Sequence, residues 1–292
     1  MYLNKFLSDE KINLTLDLSN KDFKTNRKKL YAEGICTTIE TKDKEDDRKN
    51  RIIFYSQKSR RFSDNTSNII SDCNGLVMDS DGKILSVPPL AFNAHIDKHE
   101  VNSMMYNGLY DVFKINDGTT ITLYYWDNGV DDPSWRMSTS KGYDVTDFKW
   151  SGDKKYSEIF NELIYLCGII PSEFYNDLDI NTSYSFGMKH PDFHTFWEGN
   201  DEPVNKIWFI QSVNIETLEV SYETCDSKIP EQEKIESHLN IYDMFKLKHN
   251  AYNEFVNRNV VNFGYIIRSK DRTKTEKYPH IIIESSLLKK IR

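Results

Sequence analysis

The residues of this chain best suited to chemistry are Lys114 and the turn after it, Ile115-Asn116-Asp117-Gly118. The lysine closes the strand-like run Gly108-Leu-Tyr-Asp-Val-Phe113, and a second run, Ile121-Thr-Leu-Tyr-Tyr-Trp126, follows the turn. A lysine amine held at a strand end beside a sharp turn can serve as a nucleophile, provided its surroundings leave it uncharged. Asp-Gly between two alternating runs is also the usual hairpin signal, so the spacing predicts two adjacent strands joined at Asp117-Gly118. A second basic turn, Ser140-Lys141-Gly142, follows a third strand-like run that begins at Trp135.

Other polar groupings have less to offer. His95, Asp97 and His99 alternate, so on a strand they share one side that a divalent ion could use; a solvated polar face is the expectation. His190 and His194 bracket Pro191, which argues against a helix across them and for a loop with hydrogen-bonded histidines. No metal-ligand set is assigned. Most of the many aromatic residues are expected in the core, but a pair flanking a groove could stack nucleic-acid bases or a methylated guanine cap. Trp126, Trp135, Phe193 and Trp197 are the candidates, with Asp192 or Glu198 accepting from the guanine edge.

The elements that must position these residues can be read from periodicity. Strands are expected over 31–39, 51–55, 74–79, 83–87, 182–188, 206–213, 259–268 and 280–283, with Ser80-Asp81-Gly82 turning the 74–87 hairpin. Apolar residues at helical spacing predict helices over 154–167, stopped by Gly168, and over 239–256. A helix or strand is expected within 1–30.

Composition bounds the rest. With 292 residues, 38% of them hydrophobic and 13% aromatic, the chain can bury a substantial core. A net charge of −7 excludes a protein coated in basic surface, so any nucleic-acid binding must be local. The basic stretch 266–292, with eight Lys or Arg against three acids, reads as a solvated edge. Cys36, Cys73, Cys167 and Cys225 show no paired spacing and are expected as free thiols in a reducing compartment. No apolar run is long enough to cross a bilayer, and a cytoplasmic protein is expected.

Taken in order, the blocks Asn74-Gly-Leu-Val-Met-Asp, Pro-Pro-Leu-Ala-Phe92-Asn93, Lys114…Asp117-Gly118-Thr119, Ser140-Lys141-Gly142, Phe186-Gly187, Lys206-Ile-Trp-Phe-Ile, Phe263-Gly264-Tyr-Ile-Ile and His280-Ile-Ile-Ile-Glu284 carry a likeness. Their succession resembles the phage-type RNA ligases, members with DNA ligases and mRNA capping enzymes of the covalent nucleotidyltransferase superfamily, and the chain looks like a divergent viral member. The resemblance implies an α+β fold, a nucleotidyltransferase (ATP-grasp-like ligase) domain of mainly antiparallel sheets with flanking helices. It would occupy 71–292, with 1–70 an N-terminal lobe packed on it and no C-terminal helical domain. The implied chemistry is attack by the Lys114 amine on the α-phosphorus of ATP, then transfer of AMP to an RNA 5′-phosphate, with ATP and Mg²⁺ as cofactors. Asn74, Asn93, Asn116, Asp117, Gly118, Lys141 and Gly142 would line the nucleotide site beside Lys114.

The chain departs from that family at several positions. Two residues, not one, separate Lys114 from Asp117-Gly118. Asn74 and Ala91 stand where the family has an arginine and a lysine, Gly187 and Phe263 where it has glutamates, and Ile282 and Glu284 where it has two lysines. Removing one hydrogen-bonding cation from a phosphate costs about 1.5–3 kcal/mol, and losing several groups that stabilise developing charge slows transfer by orders of magnitude. The expectation is therefore a degenerate active site in a non-catalytic subunit of an RNA-processing or translation assembly. Such a subunit would bind RNA, a nucleotide or an mRNA 5′-cap and have a protein partner. The alternative is an active ATP-dependent RNA ligase working through lysyl-AMP at Lys114.

Overall fold

A computed structural model describes residues 21–32, 34–40, 50–56, 73–89, 102, 110–150, 152–192, 205–235, 241–258, 263–269 and 281–285. The chain forms two compact units. One comprises Met1–Ala91, Thr119–Phe193 and Asn205–Glu231; the other comprises Phe92–Gly118, His194–Val204 and Gln232–Arg292.

In the first unit, helix α1 (Lys21–Ala32) precedes strands β1 (Ile35–Ile39), β2 (Arg51–Ser56), β3 (Asn74–Asp79) and β4 (Ile84–Ser86), an antiparallel sheet in that order. β3 is buried from Gly75 to Asp79, with Leu76, Val77 and Met78 at its centre, because both faces of its sheet are covered. Leu76 and Met78 pack with Leu30, Ile52, Phe54 and Ile84 on one face, while Val77, Ile53 and Leu85 meet Tyr124 and Trp126 on the other.

Those two aromatics belong to a second antiparallel sheet, built from β6 (Thr119–Trp126), β7 (Ser134–Ser138), β8 (Thr182–Lys189), β9 (Lys206–Asn214) and β10 (Val220–Ser221) in the order β10-β9-β8-β6-β7. Its far face is closed by α2 (Tyr156–Leu166) and α3 (Pro171–Asp177). Ile159, Phe160, Leu163 and Ile164, at the predicted helical spacing, pack with Phe174 onto Ile121, Leu123, Phe186, Met188 and Phe209. Phe186 meets Phe160 and Phe209 edge to face, at centroid distances of 5.2 and 5.6 Å. Gly168 stops α2 as expected, taking φ +77° just past the helix end.

The second unit holds β5 (Tyr110–Lys114), α4 (Ile241–Arg258), β11 (Gly264–Ser269) and β12 (Ile281–Glu284), with an antiparallel sheet in the order β12-β11-β5. Residues 232–235 run along the other edge of β5: Lys114 N–H donates to Glu233 O at 3.0 Å and Ile235 N–H to Val112 O at 2.8 Å.

The α+β class with mainly antiparallel sheets is thus the observed one. Three expectations need correction. Asp117-Gly118 is not the tip of a hairpin, because β5 and β6 belong to different sheets and the turn is a crossover between them. The boundary expected at residue 70 falls inside a sheet, since β2 pairs with β3 from Arg51↔Asp79 to Tyr55↔Asn74. Tyr31 and Ala32 end a helix and do not begin a strand, while α3 was not foreseen because seven residues opened by Pro171 show too little periodicity.

Phe186 joins both helices to the sheet, so Phe186→Ala is expected to lower stability by about 3–5 kcal/mol. Urea denaturation at constant m-value measures this; a loss under about 1 kcal/mol would mean that the aromatic cluster is not the core of this layer.

Candidate functional site

Lys114 is the last residue of β5 and one of four residues in a row across the second unit's sheet. Tyr265 and Ile283 follow it on β11 and β12, and Glu233 faces it from the other side. The lysine Nζ is paired with the Glu233 carboxylate, and both side chains are about half exposed. Beneath the ion pair the backbone is fixed: Gln232 Nε2 donates to Lys114 O at 2.9 Å, and Ile115 N–H donates to Gly264 O at 3.0 Å. Arg268 buries its guanidinium over Phe113, 4.8 Å from the ring centroid, and donates to Gln232 Oε1. A solvated cross-strand pair of this kind contributes about 0–1 kcal/mol. It therefore orients the amine without locking it. Asn116 follows half-buried, Asp117 is buried and Gly118 exposed.

In the first unit the fold brings two of the noted turns together. Gly75 is an extra residue between the pairs Phe54↔Leu76 and Tyr55↔Asn74, a bulge at φ +103°. A Cβ there would lie 2.6 Å from Thr139 O and 2.8 Å from Ser140 Cα, so only glycine lets the 139–142 turn approach this closely. Asn74 Nδ2 donates to Pro89 O at 2.9 Å, holding the Pro-Pro segment. The Ser140-Lys141-Gly142 turn closes through Thr139 N–H to Gly142 O, leaving Lys141 exposed.

What pins that turn was not evident from sequence. Arg51 clasps both Glu40 carboxylate oxygens, at 3.0 and 2.6 Å, and reaches Asp144 Oδ2 at 2.7 Å and Tyr124 OH at 3.2 Å. Its guanidinium also lies over Trp126 and Tyr143. Burial by itself would favour discharging Arg51, but the Glu40 hydrogen bond and the charges of Glu40 and Asp144 outweigh it and raise its pKa. Burial likewise pushes the Tyr124 phenol upward. The only sequence signal was an arginine opening a strand that is otherwise apolar.

The fold places the remaining candidates as follows. Lys114, Asn116, Asp117 and Gly118 fall in one unit, and Asn74, Lys141 and Gly142 in the other. Trp126 is 5% exposed beneath Arg51. Trp135 packs edge-on against Tyr125 and Tyr184 and donates Nε1–H to Tyr175 O. Both rings serve the packing. Asn93, Phe193, Trp197, Glu198, Ala91, His194 and the 95–99 triplet lie outside the described residues. His190 is buried and accepts from Asp192 N–H through Nδ1.

The positions where the resemblance implied carboxylates are occupied by other groups. Gly187 lies opposite Trp208 on β9, and a Cβ on it would overlap the indole. Phe263 is buried, its carbonyl accepting from Ser285 N–H at 2.9 Å. Among the described residues no three His, Cys, Asp or Glu side chains converge, so they form no ready cage for a divalent ion. No helix among them is long and apolar enough to cross a membrane.

Because the indole fills the space over Gly187, Gly187→Ala is expected to destabilise by about 1–3 kcal/mol through overpacking. Trp208→Leu in the same chain is expected to recover part of that loss, giving a coupling of at least about 0.5 kcal/mol in a double-mutant cycle. Strict additivity would show that the two positions do not touch.

No protein-family model matches the chain. It is 30% identical over 241 residues to an African swine fever virus protein (isolate Tick/South Africa/Pretoriuskop Pr4/1996) named "Putative RNA-ligase", an alignment covering 74% of this chain and 53% of that protein. The corresponding protein of isolate Tick/Malawi/Lil 20-1/1983 is 27% identical over 294 residues, covering 92% of this chain and 64% of its own length. The chain thus spans between about half and two thirds of the length of these relatives. Among solved structures, an archaeal ATP-dependent RNA ligase matches 90% of this chain and 62% of its own with a TM-score of 0.51 at 11% identity, a likeness of fold. The chain is an RNA-ligase-like protein of the nucleotidyltransferase fold, with viral relatives.

Proposed function

We propose that this chain is the nucleotidyltransferase part of an ATP-dependent RNA ligase, with Lys114 as the residue that takes up AMP. The observation that carries the reading is the similarity, over 74% of the chain, to a viral protein named "Putative RNA-ligase". In this reading the Lys114 amine attacks the α-phosphorus of ATP, forming a P–N bond as the P–O bond to pyrophosphate breaks. AMP then passes to an RNA 5′-phosphate, restoring the amine, and is released when a 3′-hydroxyl attacks that phosphate. A divalent ion bound with ATP supplies charge neutralisation on its phosphates. The attacking species is the free amine, so the Glu233 contact has to open first; its exposure makes that inexpensive. The hydrogen bonds at Lys114 O and Ile115 N keep the backbone still while the side chain swings.

A second reading is favoured by one set of observations, the indole over Gly187 and the buried Phe263. In it the domain keeps RNA, nucleotide or cap binding as a subunit of a larger assembly and has no covalent step.

Incubation with α-labelled ATP and Mg²⁺ or Mn²⁺, followed by denaturing electrophoresis, separates the two. The ligase reading expects a labelled band that Lys114→Ala abolishes and Glu233→Gln retains. An unlabelled wild-type protein between pH 6 and 9 would sink that reading in favour of the second.

A further inference from the structure

The segment linking β7 to α2 carries two aromatic rings that the fold does not use. Phe148 is 66% exposed and Trp150 61%, with Lys149, also exposed, between them. One exposed apolar side chain is ordinary. Two rings within three residues on a tethered backbone are a presented surface. The tethers are specific: Phe148 N–H donates to Val145 O and its carbonyl accepts from Tyr156 N–H, each at 2.9 Å, and Lys149 forms an antiparallel bridge with Lys155. The rings are thus held out from the start of α2 on a frame already ordered.

The charges around the rings indicate what they fit. Lys155 neutralises Asp147 and Lys154 pairs with Glu162, whereas Lys149 and, earlier on the same connection, Lys141 have no acidic partner among the described residues. A dry protein interface requires contiguous apolar area with charge kept to the rim. Here a lysine separates the rings and Asp147 adjoins them, an arrangement suited to flat π-faces stacking on bases while a cation meets the phosphates. At the end of α2 the exposed pair Tyr165 and Leu166 has a lysine nearby, Lys228, but its Nζ is tied to Gly168 O at 3.0 Å, and this group serves as a comparison.

We propose that Phe148, Lys149 and Trp150 form a stacking platform for single-stranded RNA, a site that rests on the reading that this protein handles RNA and locates where the strand lies. The two aromatics take successive bases without regard to sequence, and Lys149 contacts the backbone between them.

The test is fluorescence anisotropy with an end-labelled 12-nucleotide single-stranded RNA at several salt concentrations, on the whole chain. The double variant Phe148→Ala/Trp150→Ala is expected to bind about 10- to 100-fold more weakly, with an unchanged melting temperature because the rings are exposed. Lys149→Ala is expected to flatten the slope of log affinity against log salt by about 0.7. Tyr165→Ala/Leu166→Ala and binding of a 12-base-pair duplex serve as controls that do not change. Unaltered single-strand affinity in the ring variant overturns the platform, as does absence of binding by the wild type. A change in sedimentation of the ring variant also overturns it, because it would assign the rings to a contact between copies of the chain. The Lys114-dependent labelled band, read on the same variants without RNA, keeps the adenylylation question separate: its absence with weakened RNA binding defeats the ligase reading alone.

Discussion

Four residues, 115–118, carry the chain from one sheet into another, and the placement of Lys114 follows from that crossover. β5 has β11 along one edge and residues 232–235 along the other, while β6 lies between β7 and β8. All four edges are taken, so the two strands cannot pair with each other despite the Asp-Gly between them. Glu233 comes 119 residues after the lysine. The surroundings of Lys114 therefore form only when distant segments have been gathered, a topology whose loop-closure cost precedes its contacts.

The first unit is ordered by a different means. Its four-stranded sheet has apolar side chains on both faces, and the space facing the second sheet also holds polar groups that must be satisfied. Ser86 and Ser138 share one hydrogen bond there at 2.9 Å and Thr122 and Ser185 another at 3.0 Å. Arg51, more demanding because it is charged, has Glu40, Asp144, Tyr124 and two aromatic faces. A buried charge pair adds little net stability but costs several kcal/mol when broken, so this network acts mainly on geometry. It holds Asp144, whose Oδ1 accepts from Thr146 N–H, and through it the turn that presents Lys141 and the connection that leads to Phe148.

The place of Lys114 in its strand also has a physical meaning. Side chains alternate along a strand, so position 114 shares its row with Tyr265 and Ile283, and a lysine one residue later would fall in the other set. Lys114 thus stands in the row of Glu233, a carboxylate brought to it from a distant segment. At Gly187 Trp208 fills the space that a side chain would need. Similarity to viral proteins that carry an RNA-ligase name and the packing around Gly187 are separate properties of the molecule; the first concerns fold, the second the space at one position.

By itself the sequence determined whatever depends on neighbours along the chain. Apolar spacing marked α2 and α4, β-branched and aromatic runs marked most strands, Gly168 ended α2, and the order of short blocks pointed to the RNA-ligase-like fold. Tertiary structure alone decided which strands are partners, that Glu233 faces Lys114, that Arg51 clasps the turn before α2, and that Trp126 and Trp135 are packing residues while Phe148 and Trp150 stand in solvent. The reason is that a tryptophan or lysine has the same local propensity in either setting. Whether it is covered, paired or presented depends on segments tens to more than a hundred residues away, which no local spacing encodes.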